Sequence, residues 1–218
     1  MAVIHHTTLT PGKLDLLAAW LPRQPWYRTG DGAAELTRAG GFRLDDPDGQ
    51  VGLEFMVVTD ATTDTAYLVP ATYRDHELPS ASEGLIGTAE HGVLGHRWVY
   101  DGAHDPVLVA QLVALIQGRA EPQAQSVTGT PDPTVTTGSP AAAGPLAASG
   151  AATVASTGEG TEVQVPIDAG GSIVVRINRV LEPGVGPGAG AGVSATWQQP
   201  GGAPARGVFV TARYQPAR

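Results

Sequence analysis

Ile173–Gly184, with the sequence IVVRINRVLEPG, is an aliphatic run that carries two arginines and ends in an acid-Pro-Gly turn. Val and Ile favour extended strands, and a Pro-Gly pair ends them. We therefore predict a strand over Ser172–Leu181. Arg176 and Arg179 lie an odd number of residues apart, so in one continuous strand their side chains point to opposite faces of the sheet.

Further short strands are predicted on both sides of this run, at Thr161–Ile167, Val193–Gln198 and Arg206–Tyr214, with Gly- and Pro-rich turns between them. They give a small β region over residues 161–218. The preceding residues 121–160 are dominated by Ala, Gly, Ser, Thr and Pro and contain no aromatic residue. Such a composition buries too little apolar surface to offset its ordering entropy, so we predict a disordered linker.

Residues 1–120 are predicted to form a first domain of the α+β class. Apolar residues recur at helical spacing over residues 14–21. Val51–Thr59 alternates as a strand and pairs with Ala66–Tyr73 in a hairpin across a polar turn. Val107–Gln117 is apolar nearly all round, so this helix is expected to be buried. The pattern predicts an antiparallel sheet packed on helices.

The charge balance excludes several classes of partner. The net charge is −8 and the chain contains no cysteine. A phosphate backbone or an anionic membrane needs a basic face, so neither nucleic acid nor membrane is expected as a partner. No apolar run is long enough to cross a bilayer, and the N-terminus lacks a secretory pattern. We expect a cytoplasmic protein.

Three stretches resemble the N-terminal cap of actinobacterial maltokinases. They are Trp20–Tyr27 (WLPRQPWY), Leu85–Gly87 followed by Tyr100–Pro106 (YDGAHDP), and Arg176–Gly184. The resemblance implies a cystatin-like cap, a curled antiparallel sheet wrapped on a helix, that leads into a sheet like the small lobe of a kinase. It also implies a place in the trehalose and glycogen metabolism of an actinobacterium.

The sequence departs from the maltokinase pattern where chemistry is expected. In those kinases the third stretch carries a lysine that holds ATP phosphates, and here Arg176 takes its place. About 34 residues follow the turn, whereas phosphoryl transfer needs a catalytic Asp and Mg²⁺-binding carboxylates. Proteins of this kind tend to be labelled 1,4-α-glucan branching proteins, but branching needs paired carboxylates on a far longer barrel. We therefore expect a pseudoenzyme without a cofactor.

Two functions are compatible with these sequence features. The first is a non-catalytic binding or scaffolding protein that docks onto a protein partner in α-glucan or trehalose metabolism or binds a carbohydrate. The second is an accessory subunit that completes a sugar kinase in trans, with the helix Val107–Gln117 and the strand edges pairing with a separate catalytic lobe. A small enzyme built around the loop near His91 is a third reading.

Five residues are candidates for ligand or partner binding. Trp26 and Tyr27, with Arg23, offer aromatic faces that suit sugar rings and interfaces, although the same rings could instead pack under the sheet. Of Arg176 and Arg179, one could meet a phosphate or a partner's carboxylate. The alternative for both arginines is an ion pair with Glu182 or another neighbour.

The remaining titratable groups give weak site patterns. His91, His96 and His104 surround one Gly-rich loop, but their spacing matches no compact set of metal ligands, so no metal site is predicted. Glu54 and Glu35 could be imagined as an acid–base pair. However, Glu54 falls on the polar face of its strand, so we expect it to be exposed.

Overall fold

A computed structural model describes residues 9–125, 127, 129–138, 150–168, 170–184 and 190–217. Its helices are α1 (Lys13–Trp20) and α2 (Pro106–Ile116), with short 3₁₀ segments at Leu21–Arg23, Pro79–Gly84 and Gly102–His104. The strands are β1 (Leu9–Thr10), β2 (Leu36–Leu44), β3 (Gly52–Asp60), β4 (Thr65–Arg74), β5 (Leu85–His91), β6 (Gly95–Asp101), β7 (Gln123–Ala124), β8 (Thr136–Gly138), β9 (Thr153–Thr157), β10 (Gly160–Pro166), β11 (Ser172–Ile177), β12 (Val180–Leu181), β13 (Ala191–Gln198) and β14 (Pro204–Gln215).

The strands form one antiparallel sheet. Its order is β1-β5-β6-β4-β3-β2-β13-β14-β11-β10-β9, with β12 added to β4, β7 to β2 and β8 to β13. The described part of the chain is therefore mostly antiparallel sheet with few helices. This agrees in outline with the α+β prediction, whereas the cystatin-like curl and the likeness to a kinase small lobe stay predictions.

The predicted hairpin of β3 and β4 is confirmed. The two strands pair without interruption from Gly52–Tyr73 to Asp60–Thr65. Pro70 lies in β4 between the stretch paired to β12 and the stretch paired to β6. A proline lacks an N–H for a ladder hydrogen bond, so Pro70 is expected where this second edge of β4 has no pairing partner.

Strand β3 is buried on both faces because a separate apolar layer covers each one. Its odd-numbered residues, such as Phe55, pack in a core with α2 and the C-terminal strands, where Phe55 stacks on Phe42 at 4.5 Å between ring centroids. Its even-numbered residues, such as Met56, pack with α1, Trp20 and Trp26. The larger core includes residues from both the 1–120 and the 161–218 regions.

Helix α2 begins and ends as the sequence predicts. Asp105 caps it by accepting a hydrogen bond from the Val107 N–H at 3.0 Å, and Pro106 occupies the first helical position. Gly118, with φ of 71°, ends it. Arg74 adds two hydrogen bonds of 2.7 Å to the buried Asp105 carboxylate. Most of the apolar side chains of α2 are buried in the chain's own core.

The prediction of a disordered linker over residues 121–160 is wrong for three segments. β7 pairs with β2, β8 pairs with β13, and β9 pairs with β10 over five residues. Composition misjudges these segments because backbone hydrogen bonds to a strand edge need few apolar side chains. Residues 139–149 of the predicted linker lie outside the described residues.

The longest helix in the described part of the chain is α2, and its 11 residues are too few to cross a bilayer.

Candidate functional site

The Ile173–Gly184 segment joins the two halves of the sheet. β11 lies between β10 and β14, and two residues later β12 pairs with β4 through Val180–Tyr67 and Leu181–Ala66. The Leu68 N–H donates to the Arg179 carbonyl at 2.9 Å. The prediction of one continuous strand over Ser172–Leu181 is therefore wrong, because the chain leaves one pairing partner after Ile177 and takes another at Val180.

Arg179 lies in this break and is fully buried. Its Nη2 donates to Asp101 Oδ2 at 2.5 Å, and its Nε donates to Thr161 Oγ1 at 2.8 Å. The guanidinium lies 5.1 Å from the centroid of the Trp26 ring, a cation–π arrangement. Arg179 therefore takes the alternative role, an ion pair with a neighbour, and its burial leaves it out of reach of a phosphate or a partner's carboxylate. We define Arg179, Asp101, Thr161 and Trp26 as the junction.

The junction brings together the three stretches singled out in the sequence. Trp26 comes from the first, Asp101 from the second and Arg179 from the third. Asp101 ends β6 and is 3% exposed; its second oxygen accepts a hydrogen bond from the Ala103 N–H at 3.2 Å. The order and spacing of the three stretches are thus the sequence signal for this contact, although no single stretch predicts it.

Trp26 and Tyr27 pack against their own sheet. Trp26 is 2% exposed, with its ring centroid 5.7 Å from that of Trp20 and 5.9 Å from that of Tyr67. The predicted stacking of Trp26 on a sugar ring is therefore wrong, and the packing alternative describes this residue. Arg23 is exposed, and its role stays a prediction.

Tyr27 is half-buried and is held by two contacts. Its ring stacks on Tyr67 at 5.6 Å, and its hydroxyl donates to Asp60 Oδ2 at 2.9 Å. Burial, followed by the hydrogen bond and the charge of Asp60, raises the pKa of Tyr27 to about 12. The phenol is therefore a hydrogen-bond donor fixed on its own chain.

Arg176 forms the surface ion pair that the sequence offered as its alternative role. Its Nη2 donates to the backbone oxygen and to Oε2 of Glu159, each at 3.2 Å. The partner is therefore Glu159 rather than Glu182, which lies 3.9 Å from Arg28. The Arg176 side chain keeps 38% exposure, so this arginine, unlike Arg179, can still be reached by solvent.

Glu54 is buried at the centre of a polar cluster that the sequence did not predict. Its carboxylate accepts hydrogen bonds from four side chains: Lys13 Nζ at 2.5 Å, the Tyr73 hydroxyl at 2.7 Å, Gln125 Nε2 at 3.2 Å and Arg38 Nη2 at 3.3 Å. The expectation that Glu54 is exposed is wrong, because α1 covers the polar face of β3.

The cluster holds Glu54 as a carboxylate. Burial alone would raise its pKa, but the charge and hydrogen bond of Lys13, with help from Tyr73 and Arg38, bring the pKa below its ordinary value. Burial and the neighbouring Glu54 charge raise the pKa of Tyr73 well above its usual range. Glu35 lies beside Asp60 at the other end of β3, so the structure does not pair it with Glu54.

A cleft of about 230 Å³ opens where the ends of β2 and β3 meet the turn between β13 and β14. Polar residues of both regions line it, namely Thr37, Arg38, Thr59, Gln198 and Gln199. The turn itself is fixed by the Gln199 N–H donating to the Ala203 carbonyl and the Gly202 N–H donating to the Gln199 carbonyl, both at 2.8 Å. No motif in the sequence points to this cleft.

Comparison with known families supports the resemblance. Residues 20–105 match the family model of the maltokinase N-terminal cap domain. This part of the chain is therefore similar to a maltokinase N-terminal cap domain, and we refer to residues 20–105 as the cap-like domain. The match ends before Arg176, so the kinase-like reading of the third stretch stays a prediction. No curated protein matches the chain.

The histidines of the cap-like domain do not converge. His96 Nδ1 lies 2.5 Å from Glu90 Oε1, and its ring stands edge-on to Trp98. His91 accepts a hydrogen bond from the Leu94 N–H at 3.0 Å, while His104 lies in the 3₁₀ segment before α2. Within the described ranges, no three His, Cys, Asp or Glu side chains are placed to hold a metal ion together.

The Glu54 cluster predicts an acid-sensitive cap-like domain. The pKa values of Glu54 and Asp60 are lower in the folded chain than their ordinary values of 4.5 and 3.8. Both carboxylates therefore stabilise the fold above those values, and this stabilisation is lost as the pH falls through the folded pKa values. We expect the free energy of unfolding, measured by urea denaturation, to decline as the pH is lowered below about 4.5.

Glu54→Gln tests the assignment of this decline. We expect the variant to be less stable than wild type at neutral pH and to lose less stability on acidification, because it carries no proton-linked carboxylate at this position. The exposed Glu35→Gln serves as the matched control and should follow the wild-type curve. An acid decline that is equally steep in Glu54→Gln and wild type would contradict the assignment.

Proposed function

We propose that this chain is a non-catalytic binding or scaffolding protein in trehalose and glycogen (α-glucan) metabolism, built on a maltokinase cap. The cap match over residues 20–105 supports the metabolic setting. The observation that carries the non-catalytic part is the burial of Arg179. Of the two arginines in the stretch that resembles a phosphate-holding strand, one is sealed inside the junction and the other is paired with Glu159.

Recruitment of Arg179 to a phosphate would disrupt the fold. Withdrawal of its guanidinium would leave Asp101 buried without a cationic partner, and breaking a buried pair in this way costs about 3–5 kcal/mol. Arg176 is free of this constraint, because an exposed ion pair contributes about 0.2–1 kcal/mol. A single half-exposed arginine supplies a point of attachment for an anion rather than the positioned cations and Mg²⁺-binding carboxylates of phosphoryl transfer.

The accessory-subunit alternative is less well supported than it was from the sequence. In that alternative, helix α2 pairs with a separate catalytic lobe. In the structure, seven residues of α2 are buried, among them Leu108, Leu112 and Leu115. A partner could reach this face of α2 only by unpacking the core, so a docking partner would use the exposed surface instead.

Phosphoryl transfer by the purified protein is the test of this proposal. We expect no transfer from ATP to maltose, glucose or trehalose in the presence of Mg²⁺, measured as sugar phosphate by mass spectrometry. Arg176→Lys, which restores the lysine of the resembled kinases, should remain equally inactive. Sugar phosphate formed in proportion to protein concentration would overturn the proposal. Co-purification of a stoichiometric kinase lobe from the native host would favour the accessory subunit instead.

A further inference from the structure

The cleft between the cap-like domain and the C-terminal strands has fixed walls. One wall is formed by paired strands, where Thr59 is 8% exposed and Ala39 is 5% exposed. The opposite wall is the tight turn from Gln198 to Gly202, whose backbone makes its own hydrogen bonds. Because both walls are held by backbone pairing, a ligand would meet groups that are already in place, which lowers the entropic cost of binding.

The lining is rich in neutral hydrogen-bonding groups. In the described part of the chain, the Thr37 hydroxyl and the side-chain amides of Gln198 and Gln199 have no hydrogen-bond partner. Thr59 Oγ1 makes a single long contact of 3.4 Å with the Thr37 carbonyl. Hydroxyl and amide groups both donate and accept, so they match the hydroxyls of a ligand without requiring it to carry charge.

The charge of the cleft disfavours an anion. Its one charged lining residue is Arg38, whose Nη2 lies 3.3 Å from Glu54 Oε1. Arg38 is therefore already engaged by a carboxylate that it shares with Lys13, and the lining offers an anionic ligand no second cation. The non-polar part of the lining consists of small side chains (Ala39, Ala61 and Pro200) and glycines, so there is little apolar surface for a hydrophobic ligand.

We propose that this cleft binds a small uncharged polyhydroxy compound of about the size of one sugar ring. The inference rests on the proposed binding function and gives it a site and a ligand class. The site differs from the one that the sequence predicted at Trp26, which is buried. The hydroxyl of Thr59 and the amides of Gln198 and Gln199 supply the hydrogen bonds, and the Gly201–Gly202 turn leaves room for the ring.

The experiment is a ¹H–¹⁵N NMR titration of the full chain with glucose, maltose and trehalose in separate samples. We expect at least one of them to shift the amides of Ala61, Gly201 and Gly202 saturably, with a Kd on the order of 1 mM. Glucose 6-phosphate, which adds charge to the same ring, should bind more weakly than glucose.

Two variants locate the binding. Thr59→Val removes the hydroxyl but keeps the shape, and Gln199→Ala removes the amide but keeps the backbone bonds of the turn. Each variant should raise the Kd of the sugar about tenfold, which corresponds to about 1.4 kcal/mol of binding free energy. Gln111→Ala on α2, outside the cleft, is the matched control and should bind like wild type. Thermal melts confirm that all three variants are folded.

Two outcomes would overturn the inference in distinguishable ways. Saturable binding that Thr59→Val and Gln199→Ala leave unchanged would place the sugar elsewhere, so the cleft would be rejected while a carbohydrate-binding function stood. If no sugar produced saturable shifts at any amide, both the cleft and the carbohydrate form of the proposed function would be rejected, leaving docking to a protein partner.

Discussion

Arg179→Met is expected to lower the free energy of unfolding by about 3–5 kcal/mol. The substitution removes the guanidinium that bridges Asp101 and Thr161 but retains a long apolar side chain over the Trp26 ring. Asp101 would then be a buried carboxylate whose remaining hydrogen bond comes from the Ala103 N–H. Urea unfolding followed by circular dichroism gives the loss directly.

Arg176→Met is the matched control, since it removes the same chemical group three residues earlier in the chain. Arg176 pairs with Glu159 at the surface, where its side chain is 38% exposed. The expected loss is about 1 kcal/mol or less, because solvent screens exposed pairs. Equal losses for the two variants would contradict the assignment of Arg179 to a buried junction.

Trp26→Ala is expected to lower the free energy of unfolding by about 3–5 kcal/mol, the range for truncation of a large buried aromatic side chain. The indole packs against Trp20, Tyr67 and the Arg179 guanidinium, so its removal opens a cavity at the junction. Urea unfolding measures the loss, and the NMR titration shows whether sugar binding changes. Because Trp26 is buried, we expect sugar binding by the folded fraction to be retained.

Tyr214→Ala provides the control for the loss of an aromatic ring. Tyr214 is 54% exposed, and its hydroxyl donates to the Gly170 carbonyl. The expected cost is therefore about 1 kcal/mol, close to that of one hydrogen bond. A Trp26→Ala variant that kept wild-type stability but lost sugar binding would show that Trp26 is a ligand-contacting residue and would overturn the packing account.

The parts of the fold that could be predicted from sequence are those set by local patterns. The β3–β4 hairpin follows from alternation in Val51–Thr59, a polar turn and a second apolar run after the turn. Helix α2 follows from an Asp-Pro start, a continuous apolar run and a terminal Gly118. In each case the deciding residues are near neighbours in the chain, so spacing alone carries the information.

The parts that could not be predicted depend on long-range packing. Glu54 reads as an exposed residue because alternation places it on a polar face, but α1 and the side chain of Gln125 cover that face from 41 and 71 residues away. Gln125 also belongs to the segment that composition assigned to a disordered linker. Neither contact leaves a trace in the local pattern of β3.

Arg179 illustrates how a break in a predicted strand can hide a site. Alternation placed Arg176 and Arg179 on opposite faces of one strand, so that one of them could meet a ligand, with an ion pair to a neighbour as the alternative. The strand instead breaks at Asn178, whose N–H and side-chain amide bond to the carbonyls of Phe209 and Val208. Because of this break, the Arg179 side chain points into the core. The only sequence signal for this contact is that the three motif stretches occur together in one chain.

A double-mutant cycle on Asp101 and Arg179 tests the junction most directly. Asp101→Asn, Arg179→Met and the double variant are compared with wild type by urea unfolding. Each single variant leaves one buried charge without its partner, whereas the double variant leaves none. We expect a coupling free energy of about 2–3 kcal/mol, at the upper end for contacting residues. If the losses of the two single variants add up to the loss of the double variant within about 0.5 kcal/mol, the claim that this pair joins the cap-like domain to the C-terminal strands is contradicted.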